Sequence, residues 1–183
     1  MNEEHRKYWN DRGVTDDILD TLNIGYKEKG DWKWFTIPII DFHGNVLYHK
    51  LKKAPGAPDK QPKSLYDPKG QDAMLWPLPY LHENVEKIYL AEGEPDVMAL
   101  LSQGQEAITS TSGAGNFDES WLKLFPTEIT VMCCYDKDEA GDKGRKNIDE
   151  VFSKRPDIIL QHLHLPEECP GKDMTDYLLW NGS

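Results

Sequence analysis

Glu92 ends an apolar run, Lys87-Ile-Tyr-Leu-Ala91, and is followed at once by Gly93. A second run, Ile129-Thr-Val-Met-Cys-Cys-Tyr135, ends the same way, on Asp136-Lys137-Asp138. A third, Ile158 to Leu165, is followed by Gly-Lys-Asp-Met-Thr-Asp, which supplies Asp173 and Asp176. A carboxylate at the tip of a strand is held on rigid backbone, and Gly93 is expected to permit a tight turn there. Alternate residues leaving one strand end project into the same region, which pairs Asp136 with Asp138.

Several carboxylates gathered at one sheet edge repel one another unless a cation lies between them. Oxygen donors without His or Cys point to magnesium or manganese rather than zinc. Such a site suits phosphoryl or nucleotidyl transfer. The competing account is that each acid merely starts a helix. Capping suffices for Asp96, Asp118 and Asp173 taken singly. It is a poor account of Glu92 and of the Asp136/Asp138 pair.

The elements that must position these acids follow from periodicity. Residues 4–24 read as two short helices, the second capped by Thr15 and striped by Ile18, Leu19 and Leu22. Trp32 to Ile40 and Val46 to Lys52 read as strands joined by Asp-Phe-His-Gly-Asn, an antiparallel hairpin. The Pro-, Gly- and Lys-rich stretch from Lys52 to Lys63 reads as a mobile surface loop. From Lys87 onward strand, turn and helix repeat, with helices expected over Asp96–Ser102, from near Asp118, from about Lys143 to Ser153, and after Asp173. Continuously apolar strands alternating with helices imply an α/β fold with a parallel sheet covered on both faces. Its ligands belong beyond the carboxyl ends of the strands. The lobe boundary is expected near 82–86, giving a mixed α+β lobe over 1–84 and an α/β lobe over 85–183.

The net charge of −11 over 183 residues argues against coating nucleic acid by bulk attraction. Residues 43–70 nevertheless carry six lysines against two aspartates, a local +4 that leaves −15 elsewhere. Lys50, Lys52 and Lys63 could therefore track phosphates, or the segment could be a solvated loop. The three cysteines form no CxxC pair, which excludes a zinc ribbon. No apolar run approaches the roughly 18 residues that span a bilayer, and the charged N-terminal stretch has no signal region, so a cytoplasmic protein without a membrane partner is expected.

At these residues the chain resembles the TOPRIM domain of bacterial- and phage-type DNA primases. Glu92-Gly93 and Asp136-Lys137-Asp138-Glu139-Ala140-Gly141 match the family's Glu-Gly and Asp-x-Asp-x-Ala-Gly patterns in order. The hairpin Phe35-Thr-Ile-Pro-Ile-Ile-Asp-Phe-His-Gly-Asn-Val46, the opening Tyr8-Trp-Asn-Asp-Arg-Gly13 and the stretch Pro62 to Gly70 resemble the preceding primase segments. Glu94 stands where many primases have an aromatic residue, and Thr175 stands where they have a second acid.

The resemblance implies a primase catalytic core making RNA primers on a single-stranded DNA template from ribonucleoside triphosphates, with a replicative helicase as partner, in a phage, plasmid or other mobile-element version or as part of a longer chain. It implies Glu92, Asp136 and Asp138 as catalytic residues, those three with Asp173 as ligands for Mg2+ or Mn2+, and Lys50, Lys52 and Lys63 as nucleic-acid contacts. A TOPRIM nuclease hydrolysing phosphodiesters, and a non-catalytic single-strand-binding module, are the alternatives.

Overall fold

The structure is a computed structural model that describes residues 1–113 and 115–182. Two short helices open the chain, α1 (Glu3–Asn10) and α2 (Asp16–Thr21). Asn2 and Thr15 cap them by accepting from the His5 and Ile18 amides, and acids fill both first turns, where the helix dipole favours them.

An antiparallel sheet follows, built from β1 (Gly25–Lys29), β2 (Trp32–Ile40), β3 (Val46–Lys53) and β4 (Ser64–Asp67) in that spatial order. The expected hairpin is β2–β3, with Thr36 opposite Leu51 and a register shift at Ile39/Ile40. β1 and β4 escape the periodicity reading because they are short, polar edge strands with no buried stripe. The lysine-rich loop is not free. Gln61 is buried within it, accepts from the Lys33 amide at 3.0 Å and donates to the Lys33 carbonyl at 2.6 Å, so a paired amide tethers it to β2 at that point.

The second sheet has the order β5-β7-β6-β8-β9, from β5 (Leu75–Trp76), β6 (Lys87–Ala91), β7 (Ala107–Ser110), β8 (Thr130–Cys134) and β9 (Ile159–His162). All its pairings are parallel except that of β5 with β7. Its helices are α3 (Glu94–Ser102), α4 (Glu139–Phe152) and α5 (Met174–Asn181), and the helix expected from near Asp118 is a short 3-10 run over Glu119–Leu124 capped by Asp118. α4 begins four residues before Lys143 because Asp138 caps it, accepting from the Gly141 amide at 3.0 Å.

The two faces of this sheet feed two cores, as period-2 side-chain direction requires. Ile88, Leu90, Val131 and Cys133 pack with Ile148 and Phe152 of α4. Ala91 and Cys134 face the other way, into a core that α3 and Trp76 of β5 share with Trp9, Phe35 and Ile37 of the first lobe. Burial on both faces explains why these strands read as continuous apolar runs. Polar bonds tie the lobes as well: Trp76 Nε1 donates to the Pro38 carbonyl at 2.8 Å, and the Thr15 amide donates to Ser102 Oγ at 2.9 Å.

Candidate active site

The carboxyl ends of β6 and β8 lie side by side, with Ala91 paired to Cys134, so the residues that follow them meet. Glu92 Oε2 accepts from the Asp136 amide at 3.2 Å. Burial raises the Glu92 carboxyl above its ordinary range, and the Asp136 charge adds to the effect. Asp173 caps α5 by accepting from the Asp176 amide at 2.8 Å, and its carboxyl too is raised, chiefly by burial.

Glu92, Asp136 and Asp173 line a cavity of about 700 Å³ that Lys52, Lys63 and Tyr66 of the antiparallel lobe line as well. Lys50 lies there too, but it is committed. Its ammonium forms a buried ion pair with Glu94 and donates to the Thr111 carbonyl at 2.6 Å. Thr111, Ser112 and Gly113 complete the rim, while Ala114 of the same loop lies outside the described residues.

Asp138 stands apart from that cavity and borders a neighbouring one with Arg145 and His164. Its Oδ1 caps α4, and its Oδ2 accepts from Lys172 Nζ at 2.6 Å. These bonds hold its carboxyl below the usual range, the lysine contributing most. Capping, judged a poor account of the pair from sequence, is therefore part of what Asp138 does. Asp136 Oδ2 lies 3.0 Å from the same ammonium.

Among the described residues no three Asp, Glu, His or Cys groups are drawn together as a preformed metal centre. Two carboxylates converging on one ammonium nevertheless mark a place where these oxygens require positive charge, and the donors are all hard. Asp136 and Asp138, with Glu92 beside them, could hold a magnesium or manganese ion.

A family model described as Toprim-like matches residues 89–178, from β6 into α5. The C-terminal lobe is a TOPRIM domain. A DNA primase of Pseudomonas putida is 33% identical over 138 residues, which are 70% of this chain and 19% of that protein. The chain thus spans about a fifth of that relative's length. The Aquifex aeolicus primase, solved as its zinc-binding and RNA polymerase domains, superimposes with a TM-score of 0.78 at 19% identity over 99% of this chain and 53% of that one. A DnaG primase catalytic domain bound to single-stranded DNA superimposes with a TM-score of 0.76 at 19% identity, over 98% of this chain and 68% of that one. The two-lobed fold is that of primase catalytic cores.

Gly93 does not play the part that the sequence assigns it, and the sterically constrained glycine of the TOPRIM lobe is Gly141. Gly93 has extended backbone (φ −144°), and a Cβ there would meet Pro95 and Asp96 only at 3.4 and 3.7 Å, so no turn requires it. A Cβ on Gly141 would lie 2.1 Å from the Asp136 carbonyl oxygen, so the first turn of α4 seats directly on the acid-bearing backbone only because residue 141 is glycine.

Four further residues have roles that the sequence does not assign. Arg145 is buried and donates to the Tyr135 carbonyl at 2.7 Å and the Asp136 carbonyl at 2.9 Å, clamping the end of β8. Its signal was its place one turn after Gly141. Thr175 donates from its amide at 3.0 Å and its hydroxyl at 2.7 Å to Asp96, whose buried carboxyl is pushed up to about 7 by burial and then by Asp173. Lys172 offered no signal beyond its nearness to the acids, and Glu94 showed only as a departure from the aromatic residue of many primases.

Proposed function

We propose that this chain is the catalytic core of a DNA primase, transferring ribonucleotides on a single-stranded DNA template by metal-dependent chemistry. One observation carries the reading: a single cavity is lined both by the TOPRIM acids Glu92, Asp136 and Asp173 and by Lys52, Lys63 and Tyr66 of the antiparallel lobe. Acids and lysines from two lobes facing one space suit a polyanionic template on one side and a triphosphate on the other.

In this reading residues 1–84 and 85–183 act as template-handling and TOPRIM lobes. Asp136 and Asp138 hold magnesium or manganese, with Glu92 and Asp173 beside them. When bound, the ion neutralises phosphate oxygens and assists the attacking and leaving oxygens. Glu92, whose carboxyl is raised by burial and then by Asp136, is suited to take the proton from an attacking hydroxyl. Lys52 and Lys63 contact template phosphates, while Lys50 supports the cavity wall through Glu94. Single-stranded DNA and ribonucleoside triphosphates are the substrates, and a replicative helicase is the partner that the primase reading supplies.

Primer synthesis on single-stranded templates, with labelled ribonucleotides and manganese or magnesium, tests the proposal. The expected result is product that falls at least a hundredfold in Asp136→Asn and Glu92→Gln. Undiminished product in either variant would remove the site. Cleavage of labelled single strands by the same protein without nucleotides would make it a hydrolase instead.

A further inference from the structure

Lys172 lies where the two Asp carboxylates of the TOPRIM lobe meet. Its Nζ is 3.0 Å from Asp136 Oδ2 and 2.6 Å from Asp138 Oδ2, so one ammonium joins an acid facing the main cavity to one facing its neighbour. These are the carboxylates proposed above to hold the divalent ion.

The approach of the lysine is built into the backbone. Its carbonyl accepts from the Lys137 amide at 2.7 Å, a bond to the residue between the two acids. Its own amide donates to Asp176 Oδ2 at 3.1 Å, in the first turn of α5. The segment before α5 is thereby fastened to the turn after β8, with the side chain aimed back over that turn. The side chain itself is 59% exposed, so it can swing into solvent without opening either core.

We propose that Lys172 is an intramolecular competitor for the divalent cation: its ammonium neutralises Asp136 and Asp138 until an ion arrives, and the ion binds by displacing it. This inference rests on the metal-dependent reading of the site. A monovalent ammonium satisfies two carboxylates incompletely, whereas a divalent ion with its own water ligands can draw both oxygens and add Glu92. The exchange is local, because the departing group is exposed, the Asp136 main chain is held by Glu92 and Arg145, and the Asp138 carboxylate accepts from the Gly141 amide. Lys172 then sets how much free cation the chain needs before the site is loaded.

The test is direct binding of Mn2+ to the full chain, without DNA or nucleotide, followed by calorimetry or by the electron paramagnetic resonance of free Mn2+. Lys172→Ala is expected to bind on the order of fivefold to tenfold more tightly than the wild type, with uncharged Lys172→Gln shifted in the same direction. Asp136→Asn is expected to bind at least tenfold more weakly. In chelator, Lys172→Ala is expected to melt below the wild type, because two carboxylates are left facing each other, and to gain more from added Mn2+. Equal or weaker binding in both lysine variants, with circular dichroism unchanged, would overturn the inference while leaving the metal-dependent reading intact. Absence of saturable binding in wild type and variants alike would overturn both.

Discussion

Lys50 and Glu94 form a buried ion pair across the two lobes, the lysine on β3 and the glutamate in the first turn of α3. Their side chains are 11% and 3% exposed, and the Lys50 ammonium also bonds the Thr111 carbonyl. Glu94 is one of the places where this chain departs from the aromatic residue of many primases. The charge it introduces is answered by a lysine that sequence reasoning had assigned to the template. The lobes are therefore joined beside the cavity by a charged contact whose partners cannot be altered one at a time.

Removing one partner leaves the other charged and buried. Lys50→Met is expected to destabilise the chain by about 3–5 kcal/mol, read from the urea midpoint, and Lys50→Met/Glu94→Leu is expected to recover most of that loss. A single substitution costing under about 1 kcal/mol would mean that the pair is solvated in solution.

The same geometry separates the three lysines in binding. Lys52 and Lys63 face the cavity and take part in no ion pair found among the described residues, so their ammonium groups are available to phosphates. Lys52→Ala and Lys63→Ala should each flatten the salt dependence of single-strand binding by about one contact, a change of roughly 0.7 in the logarithmic slope. Lys50→Met, measured where it remains folded, should leave that slope unchanged. Three equal changes would show that Lys50 leaves Glu94 when DNA binds.

The strand ends were legible because both faces of the second sheet are buried, which turns β6 and β8 into apolar runs that a carboxylate interrupts visibly. The hairpin β2–β3 was legible for a local reason, since two β-prone runs flank a Gly-bearing turn. The Asp96–Thr175 and Lys50–Glu94 bonds were not legible, because each joins residues distant in sequence and depends on how α3 packs against α5 or β3. The edge strands β1 and β4 carry no periodic signal, and β5 has only two residues. Asp138 illustrates the remaining ambiguity: an acid that caps a helix and an acid that meets a cation look alike in sequence, and here one side chain does both.

Glycine substitutions provide a test with reversed signs. Alanine in the interior of a helix ordinarily stabilises by about 0.5–1 kcal/mol relative to glycine. Gly141→Ala should instead destabilise by at least about 2 kcal/mol, because its Cβ would press on the Asp136 backbone and lift α4 from the acids. Gly93→Ala should fold with little change, since its Cβ finds only ordinary contacts. Thermal midpoints of the two variants decide the matter, and a tolerant Gly141 would show that α4 does not seat as described.

Asp96 should give the metal-free protein a pH-dependent stability that one substitution removes. Its carboxyl is pushed up to about 7, first by burial and then by Asp173, against the downward pull of the two bonds from Thr175. The unfolded chain releases the same proton near the ordinary value of about 3.9. Between those two values the folded chain keeps a proton that the unfolded chain gives up. Stability from this group is therefore full in acid and is lost as pH rises through about 7, beyond which the buried charge is a constant penalty. Asp96→Asn has nothing to titrate, so its stability relative to the wild type should improve between pH 5 and pH 8, by on the order of 2 kcal/mol. Thr175→Val removes one donor from the charged carboxylate and should deepen the wild-type loss above pH 7. Urea midpoints in chelator at pH 5, 6, 7 and 8 check both expectations. Glu92 and Asp173 are shifted in the same direction, but both remain in every variant, so the difference between curves reports Asp96 together with its coupling to Asp173. Parallel curves for wild type and Asp96→Asn would mean that Asp96 ionises at an ordinary pH, which its burial against α5 does not allow.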